Sequence, residues 1–172
     1  LYAPASLDEI VGQPAVVRPL ATFLAEPYPT ALLLRGGTGV GKTSLAKILS
    51  EALVDPWFGE HKESGAKFDT RKVEDYFGHD SPFRYRLPEN RFFCLRIEEL
   101  ERLPAVAENM MKDLLEEAIQ RWKLVVIATS NDTSRLETAL LHRFQVFDFD
   151  SGPQFAKAFR ERLPEEDVEE RG

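Results

Sequence analysis

A chain of 172 residues with 43% hydrophobic and 30% charged side chains has enough apolar content for one domain around a single core, which excludes a disordered chain. The formal net charge of −7 argues against unaided nucleic-acid binding, which needs a basic face, but allows DNA as the partner of a larger assembly. One cysteine, Cys94, excludes an internal disulfide and a multi-cysteine zinc site, and the short apolar runs leave no membrane-spanning helix.

The N-terminus lacks the basic-then-apolar pattern of a secretory signal, so a cytoplasmic protein, or a nuclear one in a eukaryote, is expected. Opening on Leu1 rather than methionine suggests a fragment or a trimmed chain. Residues 13–26 place Val16, Val17, Leu20, Phe23 and Leu24 at helical spacing, and Pro27 and Pro29 then break the chain. The apolar run 31–34 has the pattern of a strand buried on both faces, and 43–53 that of the next helix. Residues 55–90, rich in proline, glycine and mixed charge, read as an irregular insertion with one candidate strand near 67–73. A strand over 92–97 and a helix over 104–120 follow, the helix marked by Val106, Met110, Met111, Leu114, Leu115 and Ile119. A strand over 124–128, a short helix over 135–141 and a strand over 144–149 complete the pattern. Strands alternating with helices predict an α/β three-layer sandwich around a parallel sheet of about five strands. Residues 1–152 hold this α/β pattern as the expected domain, and 153–172 follow it and end in an acidic tail.

The strongest chemical signal is Gly36-Gly37-Thr38-Gly39-Val40-Gly41-Lys42-Thr43, a P-loop pattern set between an apolar strand and a helix. Glycines let consecutive backbone N–H groups crowd around phosphate oxygens, and the helix that starts near Lys42 aims its positive end at them. Lys42 can reach the β- and γ-phosphates and the Thr43 hydroxyl can ligate magnesium, so ATP with Mg2+ is the expected ligand. Glu98 and Glu99 end a strand on the same expected edge of the sheet. His61, His79 and His142 show no metal-ligand spacing.

The opening Leu-Tyr-Ala-Pro-Ala-Ser-Leu-Asp-Glu-Ile-Val-Gly-Gln resembles that of clamp-loader ATPase subunits of the AAA+ class, the replication factor C and bacterial gamma/tau type. So do Ile97-Glu98-Glu99-Leu100 with the helix after it, Ile127-Ala128-Thr129-Ser130-Asn131, and Leu140-Leu141-His142-Arg143-Phe144. The match leaves out 55–90 and the tail. It implies an AAA+ fold with ATPase activity, and adenine contacts from Tyr2, Ile10 and Val11. Glu99 would orient or activate the attacking water, and Glu98 would support magnesium, as Thr43 does directly. Asn131 would be the sensor facing the γ-phosphate, with Ser130 as its fallback. Arg143 would be a finger inserted into a neighbouring subunit's site, and partners would be other AAA+ subunits, with DNA reached through the assembly.

Two departures stand out. The family usually has aspartate where this chain has Glu98, and Arg96 puts a charge into a strand expected to be buried, so an acid must pair with it or the register must differ. The resemblance would make 153–163 the first helix of the family's lid, with the rest of the lid expected to be absent, and the one cysteine leaves no counterpart to the cysteine-rich zinc insertion of some bacterial members. Three functions follow: an ATPase module of clamp-loader type, an assembly switch that binds ATP but barely hydrolyses it, and a small-molecule kinase, for which no acceptor pocket is visible.

Overall fold

The computed structural model describes residues 13–54, 60–81, 83 and 92–149. In chain order these form α1 (Pro14–Ala25), β1 (Thr30–Arg35), α2 (Lys42–Leu53), β2 (His61–Ser64), α3 (Thr70–Phe77), β3 (Phe93–Glu98), α4 (Ala105–Trp122), β4 (Leu124–Ser130), α5 (Thr138–Leu141) and β5 (Gln145–Asp148). All pairings are parallel and the strand order is β2-β3-β4-β1-β5. The three-layer α/β sandwich read from the alternation of elements is therefore the observed fold.

Strand alternation divides the core in two. Leu32, Leu34, Cys94, Val125 and Ile127 face Val16, Leu20 and Phe23 of α1 and Leu45, Ala46 and Leu49 of α2. Leu33, Leu95, Ile97, Val126 and Ala128 face Val73 and Phe77 of α3, Met111 and Leu115 of α4, and Leu140 of α5. Every residue of β4 is buried, as a central parallel strand covered on both faces requires.

The segment expected to be irregular is the main correction. There is no strand at 67–73: β2 lies earlier, and Thr70–Phe77 is a helix whose N-cap, Asp69, accepts a hydrogen bond from the Lys72 backbone N–H at 3.0 Å. Val73 and Phe77, four residues apart, then bury one face of that helix. The helix expected over 135–141 is also shorter, because a turn from Leu136 N–H to Thr133 C=O takes up its start.

Candidate nucleotide-binding site

Because the strands are parallel, the segments leaving β1, β3 and β4 all emerge at one edge of the sheet, and β1 sits where consecutive connections run to opposite sides. Backbone bonds draw these ends together. Gly36 N–H donates to Ser130 C=O at 3.1 Å, and Glu99 N–H donates to Thr129 Oγ1 at 3.3 Å. The phosphate loop leaves β1 at this junction.

Gly39 (φ 79°) and Gly41 (φ 97°) occupy the left-handed region, so the loop turns where L side chains are disfavoured. Among the described residues a Cβ at either would meet nothing within 4 Å, so they leave that side of the loop open. Gly36 is required by packing instead, since its Cβ would lie 2.9 Å from Phe149 Cβ. Val40 is buried in the α1–α2 side of the core and anchors the loop there, while Gly37 is half-buried and Thr38 and Thr43 are exposed. α2 runs twelve residues from Lys42, long enough to present a developed N-terminal dipole.

Lys42 is only 7% exposed. Its Nζ donates to Gly36 C=O (2.6 Å), Gly37 C=O (2.7 Å) and Asn131 Oδ1 (2.9 Å), which uses all three ammonium protons. An ammonium can only donate, so the Asn131 atom facing it is the oxygen, and the amide nitrogen is left as a donor. Burial lowers the Lys42 pKa, opposed by the charge of Glu101. The structure thus joins the loop lysine to the candidate sensor. Ser130 is committed elsewhere: its single hydroxyl proton is shared between Glu101 Oε2 at 2.9 Å and Asp132 C=O at 3.1 Å. Glu101, whose charge reaches Lys42, went unread in the sequence; its place three residues after Glu98, where β3 ends, was the available signal.

Glu99 sits in the left-handed region (φ 56°, ψ 56°) directly after β3, and its carboxylate lies 3.3 Å from Arg102 Nε. Glu98 is approached by two cations, Lys62 at 3.7 Å and Arg96 at 3.8 Å. Arg96 is buried, and the acid that pairs with it is Glu60 at 3.1 Å, so of the two sequence alternatives a nearby acid is the one found. Arg143 is not brought to the loop. It precedes β5, at the opposite end of that strand from the P-loop edge, and donates from Nε to Lys112 C=O (3.0 Å) and from Nη1 to Ala139 C=O (2.8 Å). Tyr2, Ile10 and Val11 lie outside the described residues.

Arg35, also unread in the sequence, clamps the base of the loop. It grips Asp148 through Nε (2.6 Å) and Nη2 (3.0 Å) and donates to Thr133 Oγ1 at 3.0 Å, tying β1 to β5 and to the segment after β4. The guanidinium hydrogen bond holds the Asp148 carboxyl below the ordinary carboxylate range. A depressed pKa in the folded state means the stabilisation is present at neutral pH and fades as pH falls below about 4 through the folded value. Both groups are partly exposed, so Asp148→Asn is expected to lower neutral-pH stability by only about 0.5 kcal/mol, the two proteins converging in acid unfolding curves. Cys94 is inert by comparison: burial pushes its thiol up to about 12.

The residues present suit a nucleoside triphosphate: an open glycine loop, a buried lysine beneath it and a helix N-terminus. Thr43 suits a magnesium ligand, whereas Glu98 already carries two cations. Among the described residues no helix is long and apolar enough to cross a membrane.

The chain is 25% identical to replication factor C small subunit 1 of Pyrobaculum islandicum over 92% of its length, and 27% identical to the replication factor C small subunit of Methanoregula boonei over 91%. It spans about half the length of these relatives, 48% and 49%. Among solved structures it is similar to a RuvB P216G mutant of Thermotoga maritima, with a TM-score of 0.70, 23% identity, and coverage of 93% of this chain and 52% of that one. A DNA polymerase III gamma subunit-related protein of the same organism gives a TM-score of 0.63 at 14% identity, over 88% of this chain and 51% of that one. These two likenesses concern the fold. Residues 32–150 match the model of the ATPase family associated with various cellular activities (AAA), and over that span, most of the chain and all of its phosphate loop, the protein belongs to the AAA ATPase family.

Proposed function

We propose that this chain is an ATP-binding and ATP-hydrolysing module of clamp-loader type that works among like subunits in an assembly acting on DNA. The observation that carries the reading is the Lys42–Asn131 hydrogen bond, which couples the phosphate loop to the end of β4, where a group can sense the γ-phosphate. The named relatives, replication factor C small subunits, support the clamp-loader part.

In this reading the loop amides and Lys42 hold the phosphates, the Lys42 ammonium exchanging its carbonyl acceptors for phosphate oxygens. The Thr43 hydroxyl would hold magnesium, which would supply positive charge to offset that of the phosphates. Glu99 leaves Arg102 to orient and polarise the attacking water, and Asn131 offers its amide nitrogen to the water or the γ-phosphate. Arg143 lies at the far end of β5 from the loop, which supports a finger acting in trans on a neighbour's nucleotide; its planar, permanently charged donors suit phosphate oxygens. The resemblance of the opening segment assigns adenine contacts to Tyr2, Ile10 and Val11, which lie outside the described residues. A second reading, an assembly switch that binds ATP and barely hydrolyses it, is favoured by the cations already on Glu98 and by the Glu99–Arg102 pair.

The test is the steady-state ATPase rate per subunit against protein concentration, alongside binding of a fluorescent ATP analogue. A specific rate that climbs with concentration, is lost in Glu99→Gln with binding retained, and drops on the order of 1,000-fold in Arg143→Ala is the expected result. Binding with a rate flat at background in wild type and Glu99→Gln alike selects the switch. Absence of nucleotide binding in the folded chain overturns both readings.

A further inference from the structure

Four charged side chains meet beside the candidate site on the sheet face that α2 covers. In the parallel β2–β3 ladder Lys62 is registered with Arg96 and Ser64 with Glu98, so 62, 96 and 98 share a face. Arg96 Nη2 lies 3.1 Å from Glu60 Oε1, and Glu60 accepts from Ser50 Oγ of α2 at 3.2 Å. Glu98 Oε1 is approached by Arg96 Nε at 3.8 Å and by Lys62 Nζ at 3.7 Å. Neither that oxygen nor Nε and Nη1 of Arg96 makes a hydrogen bond among the described residues. The guanidinium is therefore held against Glu98 by charge and by packing, its side chain only 5% exposed. Two acids and two bases sum to zero, so the cluster is electrically complete without another cation.

We propose that Arg96 and Lys62 serve as resident counter-cations of Glu98, making nucleotide binding by this chain nearly independent of magnesium. The inference rests on the nucleotide-binding reading above. An arginine does not give up its proton in a protein, so the charge beside Glu98 is permanent. A divalent ion drawing on that carboxylate, directly or through water, would enter the field of two cations at a partly buried site where repulsion is weakly screened. Movement of Arg96 away from Glu98 would also break its ion pair with Glu60. The phosphate charge is then met chiefly by Lys42, the loop amides and the start of α2. Arg96 is in this sense a positioning residue, acting through Glu98 and touching no nucleotide.

The experiment compares the dissociation constant of a fluorescent ATP analogue in excess magnesium and in EDTA. For the wild-type chain the expected ratio is below about threefold. In Arg96→Leu, which keeps an apolar strand residue, the ratio should rise on the order of tenfold as Glu98 becomes free to support the ion. Lys62→Ala removes a half-exposed cation, leaves folding intact and should raise the ratio by about threefold. A wild-type ratio of tenfold or more, or folded variants that keep the wild-type ratio, overturns the proposal while leaving ATP binding in place. If Arg96→Leu does not fold, Lys62→Ala alone decides. Failure of the folded wild-type chain to bind the analogue in either condition overturns the nucleotide reading itself, and this inference with it.

Discussion

Replacing Lys42 by alanine should weaken ATP binding on the order of 100-fold while leaving the fold standing. The ammonium sits beneath the loop with all three protons given to Gly36 C=O, Gly37 C=O and Asn131 Oδ1. A triphosphate offers it anionic acceptors in place of two neutral carbonyls, and charge-assisted hydrogen bonds are roughly twice as strong as neutral ones. Losing one or two such contacts, at about 1.5–3 kcal/mol each, gives the hundredfold figure. The effect on stability is smaller. Gly36 and Gly37 are only half-buried, so water can take the place of the ammonium at their carbonyls, and a cost of about 1 kcal/mol is expected. Titration with the fluorescent analogue, beside a thermal melt, separates the two effects. A Lys42→Ala chain that binds within about fivefold of wild type would place the nucleotide elsewhere.

Gly65→Ala is expected to have the largest effect on stability of any single methyl addition at the candidate site. Gly65 opens the 3-10 turn that follows β2, and a Cβ there would lie 2.2 Å from Glu99 O, 2.9 Å from Glu99 C and 3.2 Å from Glu98 O. All three are backbone atoms, so no side chain can rotate out of the way. Either the β2 end must lift from β3 or the Glu98–Glu99 peptide must move. Glu99 is already in the left-handed region, which costs a residue with a Cβ roughly 1–2 kcal/mol. Overpacking of this kind costs about 3 kcal/mol, or roughly 6–12 °C in Tm for a domain of this size. Because the displaced peptide carries the candidate water-orienting carboxylate, turnover should fall more steeply than nucleotide affinity. A melt within about 2 °C of wild type would mean that the two strand ends are not in this contact.

How legible each part was in the sequence follows from where its energy comes from. β1 and β4 declared themselves because strands buried on both faces must be apolar throughout, and the phosphate loop because its glycines are demanded by backbone geometry that no other residue supplies cheaply. β2 stayed hidden because His-Lys-Glu-Ser has no apolar residue to betray a buried face. Its inward side is satisfied by polar partners from α3 instead: Glu63 accepts from the Tyr76 hydroxyl at 2.8 Å and pairs with Lys72, while His61 packs edge-on against the Tyr76 ring. Such long-range compensation leaves no periodic trace. Arg96 was visible as an anomaly but not as a cluster, because the acid that pairs with it, Glu60, is thirty-six residues away and precedes an element that was itself unread. Lys42 was legible from local pattern and Asn131 was singled out by resemblance, whereas their hydrogen bond spans eighty-nine residues and belongs to the fold alone.

The same polar character of β2 also bears on what the sheet cannot do. Among the described residues β2 and β5 are its outer strands, each four residues long against six or seven for the inner three. An outer strand presents unpaired backbone donors and acceptors, a template onto which another chain can add. Here the template on the β2 side is short, and alternate positions carry Lys62 and Ser64, so an incoming apolar strand would have to bury a lysine to pair with it. Charge that neutralises Glu98 on the inside thus also discourages growth at the rim. On the β2 side, a neighbouring sheet would meet a short, charged edge that disfavours continuous pairing.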